Sequence, residues 1–168
     1  QNFNEYFKYV GYPFEKILSK IGIKKNKNKI KKLYKKFSIK NINKVRINKE
    51  IFKSINILIK KNLKLAIVTS KDISRTRLIV KKFRIPIKII VSPKSNMRGK
   101  PFPDQLNYAI KKLRSSKKDS VYVGDMHVDS KSAINSGIGF IFAKYGYGYV
   151  NKRYSRVIKK PIDILKFI

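Results

Sequence analysis

Three short stretches hold residue types that could do chemistry together. Val123-Gly124-Asp125-Met126-His127-Val128-Asp129 ends an apolar run with two carboxylates four residues apart, in a chain with only nine acidic residues. Two like charges about 4 Å apart repel by roughly 4 kcal/mol at an effective dielectric near 20, and a hard cation removes that repulsion. Mg²⁺ is held by one or two carboxylates completed by substrate phosphate oxygens. The competing reading makes Asp129 a helix N-cap and Asp125 a turn residue. Thr69-Ser70-Lys71-Asp72 places hydroxyls at the end of another apolar run, just ahead of a helix. Hydroxyls and free N–H groups there can cradle phosphate, and equally Ser70 or Asp72 could simply cap the helix. Arg98-Gly99-Lys100-Pro101-Phe102-Pro103-Asp104 presents Lys100 from a loop that two prolines stiffen. His127, the single histidine, reads as a loop side chain before a general acid or base.

The elements that must position these residues are legible as alternating apolar periods. From Lys49 the pattern predicts helix Lys49 to Asn62, strand Leu63 to Thr69, helix Ile73 to Phe83 and strand Ile85 to Val91. It continues with helix Phe102 to Leu113, strand Ser120 to Gly124, helix Val128 to Ser136, strand Gly139 to Ala143 and a last helix opened by Pro161. Four apolar strands separated by amphipathic helices specify an α/β fold, a Rossmann-like parallel sheet with helices on both faces. Ligands of such sheets bind beyond the carboxyl ends of the strands, where all three stretches fall. Residues 1–45 read as helical throughout, so a helical appendage (1–45) ahead of an α/β core (46–168) is expected.

Composition bounds the rest. The chain has 168 residues and a formal net charge of +33, from 42 Lys+Arg against 9 Asp+Glu. Its length suits one domain with a small appendage, since domains typically run to about 100–150 residues. With no cysteine, thiolate metal sites, disulfides and cysteine nucleophiles are excluded. The longest uncharged stretch, Ser132 to Ala143, falls short of the roughly 18–20 residues of a membrane span. No signal-peptide pattern opens the chain, and a cytoplasmic location is expected. The charge invites nucleic acid as a partner. Yet Lys outnumbers Arg 34 to 8, Ile outnumbers Leu 26 to 9, and there are 13 Asn, all biases of A+T-rich codons. The densest basic run, Lys24 to Phe37, keeps apolar residues at 30, 33, 34 and 37, the spacing of a helix with a solvated basic face.

The order of these stretches resembles the haloacid dehalogenase-like (HAD-like) superfamily, in the branch of phosphoglycolate phosphatase and β-phosphoglucomutase. Leu65-Ala66-Ile67-Val68-Thr69-Ser70 resembles its second motif, Arg98 to Asp104 its third, and Val121 to Asp129 followed by Ala133 and Gly137 its fourth. Val10-Gly11-Tyr12-Pro13-Phe14 resembles part of the small helical cap, and Ala143 to Gly148 and Pro161 to Leu165 also fit this branch. The resemblance implies that Thr69 and Ser70 bind phosphate, that Lys100 neutralises phosphate and nucleophile, and that Asp125 and Asp129 hold Mg²⁺. It implies a phosphatase of small phosphorylated metabolites, working through an aspartyl-phosphate. The family's first motif, Asp-x-Asp after an N-terminal strand, is absent: none of Asp72, Asp104, Asp119, Asp125, Asp129 and Asp163 stands in that pattern. The resemblance therefore implies a truncated copy lacking the first strand, consistent with a start at Gln1. The alternative is a nucleophile-free basic module that grips nucleic acid or another polyanion.

Overall fold

Seven α-helices and five short strands alternate along the described residues of a computed structural model, which are 3–94, 96–148 and 154–168. Residues 1, 2, 95 and 149–153, which fall inside the two expected domains, lie outside them. The N-terminal part is helical: α1 (Phe3–Phe7), α2 (Phe14–Lys20) and α3 (Lys27–Lys40), then a 3-10 turn at Ile42–Lys44. Alternation follows with α4 (Lys49–Lys60), β1 (Ala66–Val68), α5 (Ile73–Lys82), β2 (Ile89–Val91), α6 (Asp104–Leu113) and β3 (Val121–Gly124). It ends with α7 (His127–Ser136), β4 (Gly139–Ala143), β5 (Val157–Ile158) and a 3-10 helix, Pro161–Phe167.

Caps set where several helices begin. The Asn48 side chain accepts the Glu50 N–H at 2.9 Å to start α4, and Asp72 accepts the Arg75 N–H at 3.0 Å to start α5. The apolar stripe of α6 buries Leu106, Ala109 and Ile110, and α7 packs Val128 and Ala133 with the small Ser132 and Ser136. Ile141, Ala143, Ile158 and Ile164 form the core cluster, with Leu58 of α4 and Phe167 packed against it.

All strand pairs among the described residues are parallel, as the alternation requires, and they fall into two sheets. β1 pairs only with β2, while β3, β4 and β5 form a second sheet in that order. β1 and β3 thus each keep one edge without a strand partner among the described residues. The Tyr122 hydroxyl of β3 reaches the Val68 carbonyl of β1 at 3.2 Å. A gap bridged by a tyrosine side chain is wider than the roughly 4.8 Å between paired strands. Val121 and Val123 of β3 remain 41% and 37% exposed, unusual for a strand of this apolar type.

Other differences have local causes. Leu63 and Ile85 donate to Leu58 and Val80 carbonyls, closing the preceding helices, so β1 and β2 begin later than the apolar runs suggest. β5 is unexpected because its two residues sit between Arg156 and Lys159 with no alternation to reveal them. The last helix is 3-10, held where Asp163 accepts the Lys159 and Lys160 N–H groups. On α3, Leu33 and Phe37 stay 45% and 58% exposed, so the apolar face of the basic helix is only partly covered.

Candidate functional site

Lys100 is buried, at 6% exposure, because its loop is tied down on both sides. Arg98 donates from its backbone and guanidinium to the Asp104 carboxylate at 3.0–3.2 Å. From α7, Ser132 Oγ and Asn135 Nδ2 donate to the Phe102 and Pro101 carbonyls, both at 2.9 Å. The Lys100 Nζ then donates to Asp129 Oδ1 at 2.6 Å and to the Tyr122 hydroxyl at 3.0 Å. Burial alone pushes its pKa down, but Tyr122 and Asp129 beside it outweigh burial and raise it, so the ammonium stays charged. Burial, together with Asp129 and against the pull of Lys100, raises the Tyr122 phenol to about 12. Its single proton can go to Asp129 Oδ1 or the Val68 carbonyl, each 3.2 Å away. Tyr122 is the site residue that reading the sequence missed. The available signal was a phenol inside the otherwise apolar Val121-Tyr122-Val123.

The two carboxylates of the fourth stretch are held differently. Asp129 is the third residue of α7 and its Oδ2 accepts the Met126 N–H at 3.0 Å, so Met126, not Asp129, is the N-cap and Asp129 supports the helix start from inside the first turn. Gly124 lets that side chain lie flat against the strand end: a Cβ there would sit 2.6 Å from the Asp129 Cβ. Asp125 Oδ2 accepts the Tyr147 N–H at 2.7 Å and the Gly148 N–H at 3.3 Å, from the loop after β4. A side chain at Gly148 would overlap the Asp125 carbonyl, so only glycine lets the loop close this far. Asp125 Oδ1 accepts no hydrogen bond among the described residues. Among them, no group of three acidic or histidine side chains gathers. The donor set is therefore two hard carboxylates with one oxygen open, which suits a magnesium ion that takes its remaining ligands from water and phosphate.

Thr69 Oγ1 accepts the Lys71 N–H at 3.1 Å, and the Thr69 carbonyl accepts from Gln105 Nε2 at 3.1 Å. Ser70 does something the sequence did not suggest: its Oγ donates to the Gly11 carbonyl at 2.6 Å, tying the strand end to the link between α1 and α2. Asp72, not Ser70, caps α5. Thr69, Ser70, Lys100, Asp125 and Asp129 all line one cavity of about 250 Å³ between the N-terminal helices and the strand ends. A larger depression of about 570 Å³, lined by Glu15, Lys24 and residues 26–29, shares none of these residues and brings no comparable set of groups together.

These positions can be set beside known proteins. The model of the haloacid dehalogenase-like hydrolases matches residues 2–143. No curated protein sequence matches the chain. Among solved structures, a Lactobacillus plantarum protein assigned provisionally as a phosphoglycolate phosphatase superposes with a TM-score of 0.89 at 19% identity, covering 99% of this chain and 83% of that one. A predicted phosphoglycolate phosphatase from Haemophilus somnus gives 0.85 at 20% identity, over 99% and 82%. A hydrolase from Pseudomonas syringae gives 0.84 at 22%, also over 99% and 82%. At such identities the structures speak for the fold, and the family match extends over most of the sequence. The chain belongs to the haloacid dehalogenase-like hydrolase family.

Proposed function

We propose that this chain is the greater part of a Mg²⁺-dependent phosphatase of small phosphomonoesters, phosphoglycolate-like, and that residues 1–45 are its cap over a 46–168 core. The observation that carries the reading is the convergence of Thr69, Lys100, Asp125 and Asp129 on one small cleft at the strand ends. Thr69 would donate its hydroxyl to a phosphate oxygen, and Lys100 would hold positive charge beside the transferring group, the kind of fixed electrostatic help that dominates phosphoryl transfer. Asp125 and Asp129 would hold the metal, which when bound neutralises charge on the phosphoryl oxygens. Ser70, bonded to Gly11, would keep the cap seated.

The nucleophile is not among the 168 residues. In the reaction the resemblance implies, an aspartate carboxylate attacks phosphorus, the ester oxygen leaves with a proton, and water then cleaves the aspartyl-phosphate. The facing open edges of β1 and β3, and the tyrosine that spans them, support an incomplete copy whose missing strand would lie between the two.

Titration of inorganic phosphate in Mg²⁺ buffer, followed by calorimetry, tests the site. Thr69→Val and Asp125→Asn are each expected to weaken binding at least about tenfold, the worth of one good hydrogen bond or ligand. Binding indifferent to both changes would overturn the reading. Steady hydrolysis of p-nitrophenyl phosphate by these 168 residues would refute a nucleophile outside them.

A further inference from the structure

The cap side of the cleft carries phenolic and cationic groups that phosphate binding leaves unused. Arg75 of α5 is only 7% exposed, and its guanidinium carbon lies 4.7 Å from the centroid of the Tyr34 ring of α3. Its Nη1 donates to Ser38 Oγ at 3.0 Å and its Nε pairs with Asp72. Tyr34 stacks on Phe14 with centroids 4.4 Å apart, which fixes where its hydroxyl points. Tyr6, Tyr34, Lys71 and Arg75 line the same cavity as Thr69 and Lys100. Burial pushes the Tyr34 phenol up, but hydrogen bonds from Tyr6 and Arg75 and the nearby Lys71 charge outweigh it and bring the phenol down. Arg75 and Lys71 thus bring positive charge to the neighbourhood of that hydroxyl.

A charge balance singles out Lys71. Lys100 is offset by Asp129 and Arg75 by Asp72, whereas Lys71 pairs with no carboxylate among the described residues. A half-buried cation without a partner is costly, and an incoming anion would remove that cost. Lys71 stands two residues beyond Thr69 on the same strand-end turn, so an anion at Lys71 lies beside a phosphate at Thr69. Thr69, Lys100 and Lys71 line one cavity of about 250 Å³, so a single small molecule carrying both a phosphate and a carboxylate would meet all three.

We propose that Lys71, Tyr34 and Arg75 form a second anion subsite that takes the carboxylate of a small phosphomonoester and thereby sets the specificity of the cleft. The inference rests on the reading that the phosphate lies between Thr69 and Lys100. Arg75 and the stacked Tyr34 give the subsite its shape, and Lys71 supplies the unmatched charge. A neutral ester of equal size gains nothing from these groups.

The test is equilibrium binding of 2-phosphoglycolate, ethyl phosphate and inorganic phosphate to the 168-residue chain in Mg²⁺ buffer. The unaltered chain should hold 2-phosphoglycolate about tenfold more tightly than ethyl phosphate, the difference one charge-assisted contact makes. Lys71→Gln should bring that ratio to within about twofold, Lys71→Arg should restore most of it, and Tyr34→Phe should reduce it. A ratio that is the same in the unaltered chain and in Lys71→Gln overturns the subsite while leaving the phosphate site intact. Failure of all three ligands to bind overturns the phosphate site, and the subsite falls with it.

Discussion

Lys100 and the lysines of α3 carry the same ammonium and do opposite things with it. Lys100 is buried, donates to Asp129 and Tyr122, and sits in a loop clamped by α7. Lys29, Lys32, Lys35, Lys36 and Lys40 point into solvent, and of the α3 lysines only Lys27 and Lys31 make side-chain bonds among the described residues, to Ser19 and Glu15. The first position works because a carboxylate and a phenol were placed to meet it. The second works because nothing was. A net charge of +33 is therefore no guide to function until each charge is sorted by burial and partner. Arg75 stands between the two extremes, buried itself but paired with an Asp72 carboxylate that is one-third exposed.

The sharpest way to break the contrast is at its buried end. Lys100→Met leaves the Asp129 carboxylate buried beside a methyl group, and losing one partner of a buried pair costs about 3–5 kcal/mol. Urea denaturation should show that loss as a lower midpoint. The double change Lys100→Met with Asp129→Asn should recover part of it, because the stranded charge is then gone. If the single variant unfolds at the midpoint of the parent, the pair contributes no stability and Lys100 is held by its loop alone.

How much of this contrast could be read without coordinates depends on whether the deciding contact was local. The helices, the parallel arrangement and the order of the three loops follow from short-range periodicity, and the structure has them. Thr69, Lys100, Asp125 and Asp129 stood out through residue type and strand-end position, and the structure brings them to one cavity. Contacts between distant segments left no comparable trace. Tyr122 meets Lys100 across 22 positions, Ser70 meets Gly11 across 59, and Arg75 meets Ser38 across 37. β5 was invisible because two residues cannot show alternation. The division of the sheet was legible only through the resemblance, in which an absent first strand implies open edges on β1 and β3; the residues of the two strands themselves look like those of ordinary buried strands.

The intermediate case is sensitive to acid. Burial alone would raise the Asp72 carboxyl, but hydrogen bonds from Ser74 and Arg75 and the Arg75 charge lower it from 3.8 to about 2. A carboxyl depressed in the folded state binds its proton first in the unfolded chain. Its contribution is thus fully present above about pH 4 and is lost as the pH falls through about 2. Asp104 and Asp163 are also depressed and add to the slope, by hydrogen bonding to Arg98 and, against burial, to the Lys159 and Lys160 amides and Lys166. The comparison must therefore be with Asp72→Asn, which still caps α5. The stability difference between parent and variant should shrink as the pH is lowered from 5 towards 2, measured by urea midpoints at successive pH values. A difference that stays constant over that window would show that Asp72 is not tied to Arg75 in solution.

The smallest effect belongs to the solvated end. Replacing Lys35 and Lys36 together by Gln should move the folding free energy by no more than about 0.5 kcal/mol, as for surface positions without partners. The same variant separates the two readings of the basic helix. If α3 gripped nucleic-acid phosphates, each lost lysine would flatten the salt dependence of duplex binding by about 0.9 in log–log slope. A face that is merely solvated gives no specific binding at about 0.15 M salt and nothing for the variant to change. The contacts favour the solvated face. The helix offers one arginine-free row of flexible ammonium groups, whereas the cleft shows what this chain does when it fixes a cation: it buries the stem, supplies an acceptor and stiffens the loop. None of those three features is present at Lys35 or Lys36, so fluorescence anisotropy with a labelled duplex should register no saturable change for either protein.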